Sequence, residues 1–158
     1  MSEATINGGT VFQKIHAIQN KLPKLKKEGT NSFHKYNYVT EAQFVDAILP
    51  LLDQHGLVVI PELAAPPSMQ ELEGGKILTT IMMKFKLVNK DDDKDYVQAI
   101  IPAQGIDNGD KGVYKAITGA KKYFLANTFM ISTGDDPEKD TGFVKKAGKG
   151  KLTATSTF

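Results

Sequence analysis

Lys111, Lys115 and Lys122 recur at intervals of four and seven residues, a spacing that places three ammonium groups on one side of an α-helix. Such a row can follow a sugar-phosphate chain, and Tyr114 flanks it as a surface on which a base could stack. An ordinary solvated lysine face has the same pattern, because surface helices routinely carry such rows. All 20 basic residues of the chain are lysine, and arginine is absent. Lysine is a compact charge suited to phosphate, whereas the arginine fork is the usual reader of guanine edges. A nucleic-acid ligand would therefore be held with weak sequence preference.

Other groupings fit a chemistry less well. Gly105, Gly109 and Lys111 precede a helix start, where anions bind readily, but a Walker A loop needs Gly-Lys-Ser/Thr and here Asp110 and Gly112 flank the lysine. The carboxylates Asp107, Asp110, Asp135 and Asp136, with Glu138 nearby, could gather a divalent cation for a metal-dependent nucleic-acid enzyme. Their spacing matches no calcium loop, and a solvated acidic turn around Pro137 is the simpler account. His16, His34 and His55 show no metal-ligand pairing, and His55 before Gly56 suits a helix C-terminus, where a cation is favourable. No serine sits in a nucleophile elbow, and cysteine is absent, so thiol catalysis and thiolate metal sites are excluded. The expectation is a protein without catalytic residues, metal or cofactor.

These side chains need a scaffold, and hydrophobic periodicity supplies one. Val11, Ile15, Ile18, Leu22 and Leu25 form a helical stripe, predicting a first helix from about Thr10 to Lys27, kinked near Pro23. Gly29 to Ser32 reads as a turn, and Phe33 to Val39 as a short extended segment rich in aromatics. Thr40 with Gln43 is a capping-box pattern and Gly56 a C-terminal cap, bounding a second helix whose packed face holds Phe44, Val45, Ile48, Leu49, Leu51 and Leu52, with Pro50 opposite. Leu57 to Ile60 reads as a strand and Pro61 to Gly75 as a loop. Ile77, Thr79, Ile81, Met83, Phe85 and Leu87 then alternate as one face of the strongest strand, with Lys84 and Lys86 turned away. Asn89 to Asp95 reads as a charged hairpin loop, Tyr96 to Ile101 as its partner strand, and AQGIDNGDKG as a long loop leading to a third helix, about Val113 to Asn127.

Several stretches resemble one family. FHKYNYVTEAQ with the helix that runs through LLDQHGLVV, then IPAQGIDNGDKGVYKAITGAKKYFLANTF, then TGDDPE, are similar in order and spacing to the essential recombination function (ERF) proteins of bacteriophages, which anneal single-stranded DNA. The resemblance implies an oligomer, ring or filament, that coats single strands and pairs complements without ATP, in the cytoplasm of a bacterial host. In such an oligomer the stripe of the first helix is expected to pack on a neighbouring subunit rather than on its own domain. The resemblance also implies an α+β fold, a small antiparallel sheet packed with about three helices. Carried over by position, it covers Tyr36, Tyr38, Gln104, Gly105, Asp110, Lys111, Gly112, Tyr114, Lys115, Lys122, Tyr123, Gly134, Asp135 and Asp136.

Length and composition agree with this outline. The chain has 158 residues, 41% of them hydrophobic, enough for one cored domain and too few for two. No apolar run approaches the roughly 20 residues that cross a bilayer, so no membrane is expected. The expected organisation is a flexible N-terminus over 1–9, one DNA-binding domain over 10–137 and a flexible lysine-rich tail over 138–158. The expected site is a groove lined by Lys111, Lys115 and Lys122, supported by Lys35, Lys84 and Lys86, with Tyr36, Tyr38 and Tyr114 as stacking surfaces. Single-stranded DNA and further copies of the chain are the expected partners, with a phage exonuclease or a host single-strand-binding protein as further candidates. A protein-interaction scaffold is the third alternative, beside annealing and metal-dependent chemistry.

Overall fold

A computed structural model of the chain describes residues 8–32 and 36–133. Asp135, Asp136 and Glu138, Lys35, and most of the expected flexible ends lie outside those residues. The first helix, α1 (Val11–Gln19), is followed by the paired strands β1 (Gly29–Asn31) and β2 (Tyr36–Tyr38) and the helix α2 (Glu41–His55). Four strands come next: β3 (Leu57–Leu63), β4 (Ser68–Leu72), β5 (Lys76–Asn89) and β6 (Asp92–Asp107). The helix α3 (Gly112–Thr128) closes the described part, and the fold is α+β as expected.

The long strand β5 organises the sheet. It pairs antiparallel with β6 along one side and with β3 and β4, end to end, along the other. The alternating row behaves as its spacing predicts: Thr79, Ile81, Met83, Phe85 and Leu87 are buried. All three helices lie over that face, where the core gathers Val11, Ile18, Phe44, Ile48, Leu52, Phe124 and Leu125 onto the strand residues. Phe85 and Phe124 stack with ring centroids 4.4 Å apart, joining sheet to α3.

Both predicted caps of α2 are present. Thr40 and Gln43 bond reciprocally, and Gly56 adopts the left-handed conformation that ends the helix. Pro50 sits exposed inside α2, as expected, but Leu49 is exposed too and does not belong to the packed face.

Several boundaries differ from the sequence expectation. The first helix stops at Gln19 rather than Lys27, because the ladder reaches Leu22 N–H on Ile18 O and Pro23 has no N–H for the next rung. Gly29–Asn31, expected as a turn, is a strand, since the aromatic segment needs a partner and finds it there. The expected 61–75 loop contains the end of β3 and all of β4. Likewise β6 runs from Asp92 through Pro102 to Asp107, so the long turn-rich loop shrinks to residues 108–111.

Two prolines in strands are tolerated for one geometric reason. Ala64 N–H donates to Met82 O, so at Met82 the backbone of β5 points toward β3. Alternation then turns the nitrogen of Pro61 and that of Pro102, which pairs Met82, away from β5 onto the two free edges. Neither proline costs a ladder bond.

The α1 stripe does not face outward toward a neighbouring subunit. Instead Val11 and Ile18 are fully buried within their own domain, with Ile15, Leu22 and Leu25 packed against the same core. A buried polar tie reinforces this docking: Lys14 Nζ donates to Asn89 Oδ1 at 2.7 Å, while Asn89 Nδ2 and Val11 N both donate to Asp95 Oδ2 at 2.8 Å.

Candidate nucleic-acid interface

Small residues position α3. Gly105 on β6 and Gly112 at the helix start face each other, and a Cβ on Gly105 would run into the Gly112 carbonyl. A Cβ on Gly112 would lie 2.6 Å from Thr79 Oγ1. These glycines therefore serve close helix-to-sheet packing rather than a phosphate loop. Ala116 and Ala120 continue the contact, both fully buried, which forces the opposite side of α3 outward.

That outward side carries the expected lysines. Lys111 stands at the helix start and is exposed, Lys115 lies one turn on, and Lys122 two turns further along the same stripe. Tyr114, 65% exposed, borders the stripe at its N-terminal end. Tyr123, 58% exposed, borders it at the other end; the resemblance covers it by position, but it is not among the expected stacking surfaces. Its position next to Lys122 on a helix of known face was the available signal.

Each lysine has a different environment. Lys115 Nζ pairs with Asp107 at 2.5 Å and donates to Ile106 O at 3.0 Å. The Lys115 ammonium, then the Gly109 amide, hold the Asp107 carboxyl below its ordinary range. Asp107 is thus occupied as a lysine partner and loop anchor. Lys122 is half-buried, with its ammonium 5.6 Å from the Tyr38 ring centre and 5.9 Å from that of Tyr123, within cation–π range. Beside it a hollow of about 250 Å³ opens between Val39, Phe44, Tyr123, Ala126 and Asn127. Lys111 has no ion pair among the described residues.

The structure divides the expected groove. Lys111, Lys115, Lys122, Tyr114 and Tyr38 share the α3 surface. Lys84 and Lys86 project from the far face of the sheet, where Lys84 pairs with Glu62 and Lys86 lies 5.2 Å from the Tyr96 ring centre. Tyr36 belongs to β2 opposite Asn31, and Lys35 lies outside the described residues. No group of three or more histidines and carboxylates close enough to hold a metal ion occurs among the described residues. No described helix is long and apolar enough to cross a membrane.

His55 departs from its expected role. It ends α2 but is fully buried, neither ring nitrogen has a hydrogen-bond partner among the described residues, and burial, with Lys21 and Lys14 nearby, pushes its pKa down. It is a neutral core residue rather than a cation on a helix end.

A search of curated proteins returned no match. The family model of the ERF superfamily matches residues 11–155, which takes in every described element from α1 to α3. With an α+β core of this order and a match over most of its length, the chain belongs to the ERF superfamily, a family of single-strand annealing in phage recombination.

Proposed function

We propose that this protein binds single-stranded DNA along α3 and anneals complementary strands without ATP, acting as a homo-oligomer. The observation that carries this reading is the outward stripe of Lys111, Lys115 and Lys122, bordered by exposed Tyr114 and Tyr123 and reaching Tyr38 through Lys122. Ammonium groups neutralise phosphates and lower the repulsion between two strands, while aromatic faces hold bases without regard to sequence. Base pairing supplies the free energy, so no nucleotide is consumed. A phage exonuclease or a host single-strand-binding protein would act beside it, supplying or yielding the single strand.

The test is annealing of two complementary labelled oligonucleotides, without nucleotide, across a salt series. Acceleration that fades as salt rises is the expected result. The variant Lys111→Ala/Lys115→Ala/Lys122→Ala should flatten the slope of log K against log salt by about 1.4, roughly 0.7 for each of Lys111 and Lys122 on a single strand, because Lys115 is held by Asp107. A folded triple variant with unchanged slope would remove α3 from the interface.

A further inference from the structure

The sheet has a second face, and its side chains are wrong for water. On β3, β5 and β6 the residues turned away from the helices include Val58, Ile60, Met82, Tyr96, Ile100 and Ile106, each between 38% and 52% exposed. They are neighbours: Val58 pairs Val88, which pairs Tyr96, while Met82 pairs Pro102 and Leu78 pairs Ile106. An antiparallel sheet with one solvated face normally alternates apolar-in and polar-out. Here the second side sets these apolar residues among Lys84, Lys86 and Gln98, and among the described residues no helix covers it.

We infer that this uncovered face is where a second copy of the chain docks, sheet against sheet. The inference deepens the oligomer in the proposed function and rests on that reading. Three observations select a second copy. Three strands about 4.8 Å apart and some ten residues long, at about 3.4 Å each, give a footprint of roughly 500 Å² before side-chain relief is counted. That approaches the roughly 800 Å² of accessible surface that each partner contributes to a standard interface. On this face Glu62 pairs with Lys84 and Lys86 lies against the Tyr96 ring, so two of its lysines are engaged within the chain and lie beside its apolar residues. Finally, Pro61 and Pro102 remove an outward donor from each edge, which disfavours growth of the sheet by strand addition and leaves stacking of faces as the way to cover it.

The chain has no cysteine, so a single introduced thiol reports cleanly. Met82→Cys stands at the middle of the face and Asp53→Cys on exposed α2 serves as control. With a short bis-maleimide, covalent dimer should form at least tenfold faster in the Met82→Cys variant than in Asp53→Cys. In parallel, Ile60→Glu/Ile100→Glu, checked for native circular dichroism, should lower the sedimentation coefficient of the full chain relative to wild type. Equal cross-linking of the two thiol variants, or an unchanged coefficient in the folded double variant, overturns the inference. A variant that keeps the wild-type assembly but loses single-strand affinity assigns the face to DNA and overturns it as well. Annealing by the wild-type chain is scored separately: failure there sinks the annealing reading, whereas retained assembly and annealing in Ile60→Glu/Ile100→Glu sink only the docking surface.

Discussion

Lys115 and Asp107 illustrate how one carboxylate tunes a surface meant for phosphate. The ion pair at 2.5 Å keeps the Lys115 ammonium occupied, and Asp107 also anchors the loop before α3 through the Gly109 amide. A strand of DNA must compete with Asp107 for that charge. Replacing Asp107 with Asn should therefore tighten single-strand binding and steepen its salt dependence by about 0.7, one further phosphate contact. An unchanged slope in an equilibrium titration would mean that Lys115 does not meet the backbone. The lysine spacing was legible in the sequence because helical periodicity fixes which residues share a side. The ion pair was not, because Asp107 ends a strand that was expected to be a loop.

At the scale of elements, the decisive contact is between β6 and α3. The glycines that resembled a phosphate-binding run are spacers, and Gly105 has backbone rather than flexible side chain in front of it. Gly105→Ala should cost about 3 kcal/mol of stability, the upper part of the range for overpacking, measured as a drop in denaturant midpoint. Tolerance of the methyl group would show that α3 is free to shift. The same change should weaken DNA binding only as far as it displaces α3. The ends of elements were the least legible part of the chain. Pro61 and Pro102 looked like strand breakers, yet each sits where its missing N–H faces a free edge, a fact that depends on pairing with β5.

For the whole molecule, stability should respond to acid through His55. Its folded pKa lies below the ordinary 6.5 because it is buried near Lys21 and Lys14. The unfolded chain therefore takes up a proton that the folded one refuses, so stability is full well above about pH 6.5 and falls as pH drops through it, until the folded pKa is passed. The melting temperature should decline between about pH 7 and pH 5.5, a window set by the ordinary histidine pKa, and His55→Leu should reduce that decline. Equal declines in both proteins would contradict a neutral, buried His55. The Lys14–Asn89–Asp95 tie bears on the docking of α1. Asn89→Leu, which strips the buried ammonium of its nearest acceptor, should cost about 2 kcal/mol.

The sequence by itself determined the α+β class, the α2 caps, the buried row of β5, the face of α3 that carries lysine, and the resemblance to the ERF family. The caps, the buried row and the lysine face depend on residues within one or two turns or along one strand, where periodicity and capping chemistry act locally, whereas the resemblance rests on the order and spacing of whole segments. The tertiary structure alone decided that Lys84 and Lys86 stand across the sheet from α3, that α1 packs its stripe on its own core, and that His55 is buried and neutral. Each depends on which element lies against which, and packing between distant segments leaves no periodic mark in the chain.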